Sequence, residues 1–584
     1  MLGTRSAQKG LFEADTQHLE FIGRDSFYGF LASQRGQLFR DEDFAGLYSE
    51  KVGRPSVPPS LLATALVLQH YAGVSDEEAR QRACYDLRWK VALGLEVDTR
   101  PFAKSTLQEF RAQLVVHEEQ GAIFERSLEL AKRRGRFKDQ RALRVALDTT
   151  NILGRGAVKD TYNLLADGIV LVLRALAAGS GSGVDTYAAA GGYGRYLDGP
   201  SLKGQAAMDW DAETERRQFL AGVVADADRL LSEVREARGR LEPGSASDRR
   251  LEEAAGLLSR VLGQDIERRV DGPAVRQGVA RDRMPSVHDP EMRHGRKSKA
   301  KRFDGHKVQI ATDAESQLIT AVAVLPGNAP DHDQALAAIL QTERRTGCPV
   351  AETIGDCAYG DGLTRQAFAD AGQTLIAKVA PITNQGRFPK TRFHIDLVSR
   401  TCTCPAGQVS HDLRPRKGGA GVFRFAAMTC AACRLRPQCV RGRGGRTVQV
   451  HAQEALLQAA RTFQKSPAFA PYRALRQVAE HRIARLSQLG IRQARYRGLA
   501  KTLFQAFMVA AVANLTLLAS AILRLHSVLS ASLCHFGAHL SRMAACRAET
   551  RAPGCRRPCR SSLARPITLS LASAYRLAGS RPDF

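Results

Sequence analysis

The chain has 584 residues, 44% hydrophobic and 25% charged. That is too long for one core and too apolar for a disordered chain, so two to four globular domains are expected. Eighty-five Lys and Arg against 59 Asp and Glu leave a formal charge of +26, an excess that favours a polyanionic partner, nucleic acid first.

The opening segment MLGTRSAQKGLFEADTQHLEF lacks an apolar run of signal-peptide length, so a cytoplasmic chain is expected. In that compartment twelve cysteines point to metal ligands or plain thiols rather than disulfides. Residues 20–145 read as all-helical. Prolines lead GRPSVPPSLLATALVLQHYAG into an apolar helix that Gly73 stops. Ser75 with Glu78, and Ser105 with Gln108, fit capping boxes that start new helices. Such a bundle can carry a helix-turn-helix or serve only for dimerisation.

At RALRVALDTTNI, residues 141–152, the pattern becomes strand-like and runs into Asp148. Two charged helical segments follow. Leu220, Val223, Val224, Ala227, Leu230, Leu231 and Val234 recur at helical spacing in the first, Pro243-Gly244-Ser245 breaks the chain, and the second covers 251–267. They read as an antiparallel helical pair inserted into a sheet. GHKVQIATD and QLITAVAVLPGN form a hairpin, HDQALAAILQTERRTG a helix and VAETIGD a strand ending on Asp356, before a further helix and the strand QTLIAKVA. The fold class is therefore α/β with a mixed sheet. Asp331 and Asp333 read as caps of the helix that follows them.

Residues 400–447 are a basic, cysteine-bearing island, and 460–523 return to helix. The run LFQAFMVAAVANLTLLASAIL approaches spanning length, but Gln505, Asn514 and Thr516 interrupt it. It reads as a helix buried in protein, with no membrane partner. Beyond residue 525 periodicity is lost, and 525–584 reads as a disordered basic tail.

Carboxylates that converge from separate elements can hold a pair of Mg²⁺ ions for phosphoryl transfer, because hard cations prefer oxygen ligands. Asp148 and Asp356, each at a strand end, can meet across adjacent parallel strands. Taken singly, a strand-end aspartate is more often a turn former or helix cap. Glu480 is a third acid, on PYRALRQVAEHRIARLSQLGIRQARYRG, where Arg476 lies one helical turn before it. Leu475, Ala479, Ile483 and Leu486 form a stripe that would seat this helix on a sheet. Arg492, Arg495, Arg497 and Lys501 make a dense basic run suited to DNA phosphates.

The cysteines give a second constellation. Cys430-x-x-Cys433, with Cys439 and Cys404, offers four thiolates to one tetrahedral Zn²⁺, with Cys402 as an alternative ligand. An iron–sulfur cluster and metal-free thiols remain the other readings.

Asp148 in ALDTTNI, Asp356 in IGDCAYGD, and Glu480 in a Tyr–Arg–Glu helix followed by GIRQARYRGLAKT together resemble the DDE transposases of bacterial insertion sequences. Within these the chain is similar to the group named after insertion sequences four and five, and there to family eleven eighty-two. The resemblance covers roughly residues 15–520, including DPEMRHGRKSKAKRFDGHKVQIATD. It implies an RNase H-like core, with an all-α N-terminal region at 15–140 for DNA binding or dimerisation. The catalytic domain would span 141–398 and 448–524, interrupted by a helical insertion at about 160–285 and the Cys-rich island at 399–447. It implies that Asp148, Asp356 and Glu480 bind Mg²⁺ or Mn²⁺ and are catalytic. Tyr472 and Arg476 match the tyrosine and arginine of a Tyr–Arg–Glu–Lys signature, but the lysine position falls on Ser487, with Arg485 or Lys501 as substitutes. The implied partners are terminal inverted repeats, target DNA and a second copy of the chain. A nuclease of the same fold that cuts without joining, and an inactive zinc-containing DNA binder, are the competing readings.

Overall fold

In the computed structural model, residues 1–5, 12–50, 52–138, 141–298 and 300–521 are described; the tail expected at 525–584 lies outside them. The first layer is helical. Its centre is α1 (Pro59–Ala72), which has proline in its first turn and stops at Gly73 with φ +69°. Leu61 to Leu68 are almost completely buried, and a helix apolar on all sides must be surrounded by others. Here Phe27–Leu38, Asp76–Tyr85, Leu87–Leu93 and Lys104–Val116 pack around it. Ser75 caps its helix by accepting the Glu78 N–H, whereas the helix expected at Ser105 begins at Lys104 with no side-chain cap.

β1 (Leu143–Leu153) opens a six-stranded mixed sheet. Before the sheet continues, the chain runs through α2 (Thr161–Gly179), α3 (Glu213–Arg238) and α4 (Ala246–Asp265). Leu220, Val223, Val224, Ala227, Leu230 and Val234 of α3 are buried in a core shared with α2 and α4, and Leu231 sits at its edge. β2 (Arg293–Arg296), β3 (Arg302–Asp313), β4 (Ile319–Pro326), β5 (Val350–Ile354) and β6 (Leu375–Ile376) complete the sheet. β1 lies between antiparallel β3 and parallel β5. β2 and β4 share the far edge of β3, and β6 extends β5 in parallel.

A small β layer follows. Its strands form two three-stranded sheets between His394 and Val450, a wider span than the cysteine spacing marks out. The chain then returns through α5 (Ala470–Gln488), which packs on β1, β3 and β5, and ends its described part with α6 (Leu499–Ala521). Ala479, Ile483 and Leu486 are the buried face of α5, and Leu475 is half-buried.

α2 and α6 are long and apolar enough to cross a membrane. In α6, however, 83% of the apolar window is buried inside the protein. Its polar interruptions are spent on backbone groups. Asn514 accepts the Ile319 N–H at 2.9 Å and donates to the Ile319 carbonyl at 2.8 Å, and Gln505 accepts the Arg495 N–H and donates to the Gln493 carbonyl.

Candidate active site

The register of the parallel pair brings the two aspartates together. Ala146 is paired with Ile354, and Asp148 and Asp356 each stand two residues further on, where β5 has ended and the strands part. Asp356 is also the cap of a tight turn, accepting the Ala358 N–H at 2.8 Å. Turn former and strand-end acid are thus the same residue. Gly355 is required there: a Cβ would lie 2.9 Å from the Tyr359 ring, which folds back beneath the turn.

Glu480 comes from α5, one turn beyond Arg476, and the two form an ion pair at 2.7 Å. Asp148, Asp356 and Glu480 line one cleft of about 420 Å³ with Arg476, Asp331 and Lys307. Burial pushes the Asp148 carboxyl up to about 6, with Asp356 and Glu480 adding to the rise and the Thr149 N–H and Arg476 opposing it. Asp148 Oδ1 accepts the Thr149 N–H at 2.8 Å. Among the described residues, the second oxygen of each of the three acids accepts no hydrogen bond.

These three donors fit a hard divalent cation in chemistry. They are oxygen donors from three elements; burial is the main cause of the raised Asp148, and the neighbouring carboxylates Asp356 and Glu480 add to it against the opposing Arg476. They do not form a closed shell as they stand: among the described residues no three His, Cys, Asp or Glu side chains are grouped tightly enough to hold an ion.

The strand and the turn are tied by a buried bond. Thr149 Oγ1 and Tyr359 Oη are 2.7 Å apart, with Gln309 Nε2 behind them at 3.5 Å. Burial holds the Tyr359 hydroxyl far above the usual phenol range, so it keeps its proton. Asp331 does not cap the helix after it (Ala335–Thr346), whose N-cap residue is Gln334 in a left-handed conformation; it pairs instead with Lys307 at 2.6 Å.

The basic residues expected on DNA are dispersed, and of them only Arg476 lines the cleft. Tyr472 donates to Glu352 at 2.6 Å, Arg485 to Gln488 at 3.1 Å, and Arg492 to Ser487 Oγ at 3.1 Å. Arg495 donates to the Val74 carbonyl at 2.6 Å, which ties it to the helical layer. Arg497 and Lys501 are exposed.

Cys404, Cys430, Cys433 and Cys439 line one small cavity, and the Arg446 N–H donates to Cys430 Sγ at 3.4 Å. Cys402 is fully buried in the neighbouring core, where burial pushes its thiol up to about 11, and it does not line that cavity.

Comparison with known families finds two matches. The model described as Transposase domain (DUF772) matches residues 20–113, within the helical layer. The model described as Transposase DDE domain matches residues 403–519, which include the four cavity cysteines, Glu480 and most of α6. No curated protein and no solved structure matches the chain. Two transposase domains, one toward each end of the described chain, support a transposase function.

Proposed function

We propose that this chain is the transposase of a bacterial insertion sequence of the four/five-like group, with an RNase H-like catalytic core. It would bind the element's terminal inverted repeats as a dimer, cut the phosphodiester at each end and join the freed 3′-hydroxyl to target DNA. The carrying observation is that three acids distant in sequence line one cleft at the ends of parallel strands, beneath a helix that belongs to the matched DDE segment. The strand order, three antiparallel strands followed by two parallel ones, supports the RNase H-like reading.

Asp148, Asp356 and Glu480 would hold Mg²⁺ or Mn²⁺, which supplies activation of the attacking oxygen and charge neutralisation at the leaving one. The chain's own part is positioning. Backbone N–H groups fix one oxygen of each aspartate, Arg476 fixes one of Glu480, and the second oxygens are left for the ligand. The Thr149–Tyr359 bond holds the two aspartate-bearing segments in register. In the same reading, Cys404, Cys430, Cys433 and Cys439, which line one cavity, would draw together around a structural Zn²⁺.

The test is a cleavage and strand-transfer assay on a labelled duplex carrying the element's end. Asp356→Asn and Glu480→Gln should each abolish cleavage with end binding retained; persistence of cleavage in either variant refutes the assignment. Cleavage without joining by the native chain would favour a nuclease.

A further inference from the structure

Two cations in the cleft have no side-chain partner among the described residues. Arg296 and Lys297 line it with the three acids, are exposed, and make no side-chain hydrogen bond or ion pair among the described residues. The other cations there are engaged: Lys307 with Asp331 and the Ala329 carbonyl, Arg476 with Glu480. Arg296 and Lys297 stand where the β2–β3 hairpin turns. The segment RKSKAKR, residues 296–302, carries five cations and no acid. Arg296 faces Arg302 across the hairpin, and the Lys297 N–H closes the turn on the Lys301 carbonyl at 2.9 Å.

Like charges facing each other across a hairpin are unfavourable, so the arrangement needs support from elsewhere. The base of the hairpin supplies it. His294 pairs with Asp304, and Arg293 donates to Asp282 at 2.6 Å and to the carbonyls of Pro290 and Met292. Gly305 (φ +151°) lets β3 lie so close to β1 that a Cβ would sit 2.1 Å from the Ile152 carbonyl oxygen. The base thus anchors the hairpin that brings Arg296 and Lys297 into the cleft with the acids.

We propose that the 296–302 hairpin is the phosphate clamp of this cleft, with Arg296 and Lys297 holding the DNA backbone beside the phosphodiester presented to Asp148, Asp356 and Glu480. The acids repel a polyanion, and a site that accepts one needs neighbouring cations not already neutralised by the protein. Arg296 and Lys297 meet that requirement. Ser487, neutral and bonded to Arg492, brings no charge. The clamp rests on the transposase reading, and the experiment separates the two.

The probe is a labelled duplex carrying the element's end, with binding measured in Ca²⁺ and cleavage in Mg²⁺. The double variant Arg296→Gln/Lys297→Gln should unfold at the native temperature, bind about tenfold more weakly, and lower the salt slope of log affinity by about 2, one ion-release contribution per lost phosphate contact. Its cleavage kcat/KM should fall at least as far as its affinity, and the charge-preserving Arg296→Lys/Lys297→Arg should restore both. Native affinity, slope and cleavage in the Gln variant overturn the clamp alone. A native chain that neither binds nor cuts the duplex overturns the transposase reading, and the clamp with it.

Discussion

At the scale of single residues, the Tyr359 hydroxyl is the most exacting feature of the candidate site. It is buried and neutral, and it bonds Thr149, the neighbour of Asp148, from the turn that begins at Asp356. Tyr359→Phe keeps the ring beneath Gly355 and removes that link together with the longer one from Gln309 Nε2. The expected loss of stability is about 1 kcal/mol, the net worth of one hydrogen bond. A larger effect is expected on turnover: kcat should drop with KM little changed, because the residue positions the acids without touching DNA. Equal losses in kcat and stability-corrected binding would make it merely structural. The acids could be read from the sequence because each lies at a visible change of pattern, from apolar strand to turn or within an amphipathic helix. Their supports could not. Thr149 and Tyr359 are far apart in the chain, and Asp331 resembled a helix cap because the left-handed Gln334 that replaces it leaves no signal.

Among the elements, the layer between His394 and Val450 is the least able to hold itself together by burial. Its strands are two to four residues long, and its core comprises few side chains, chiefly Phe393, Ile395, Phe423, Phe425, Val448 and Val450. In a layer that small a bound metal would add more to local stability than the few buried side chains can. The cavity lined by Cys404, Cys430, Cys433 and Cys439 is where one would act. On the proposed zinc reading, purified protein should contain one zinc per chain, and Cys433→Ser should lose it. The Ser variant, or native protein treated with a strong chelator, should be cut by trypsin between residues 400 and 447 while the rest survives. A metal-free native protein with an intact, protease-resistant layer would refute this. The spacing of the cysteines could be read directly, but their separation into cavity-lining Cys404 and core-buried Cys402 depends on cross-strand register. The same limit hid the β2–β3 hairpin: its cations are plain in sequence, but only the pairing of β1 with β3 puts them beside Asp148.

Across the whole described molecule, the helical layer and the segment around residues 495–504 are joined around α1. Arg495 donates to the Val74 carbonyl, Arg111 bridges Asp76 and the Tyr496 hydroxyl, and His70 lies edge-on to Phe504 at 6.1 Å. Arg495, expected from the sequence on DNA phosphates, has one of its N–H groups engaged in this joint. His70 makes this joint sensitive to acid. Its Nδ1 contacts the Leu66 carbonyl at 2.9 Å, and burial, then the Arg495 charge, holds its pKa down at about 3, with Arg111 adding to and Asp76 opposing the effect. The unfolded chain takes up this proton near pH 6.5, whereas the folded chain does so only near 3. The unfolded state therefore binds more protons across that window, and stability must fall as pH falls through it, by up to about 1.4 kcal/mol per pH unit from this group. His70→Gln cannot take up the proton and retains a donor for Leu66. Its urea-unfolding midpoint should start below the native one at pH 7.5 and approach or pass it by pH 5, since carboxylates elsewhere affect both proteins alike. Midpoints that fall in parallel would show that His70 is not the acid-sensitive group at this joint.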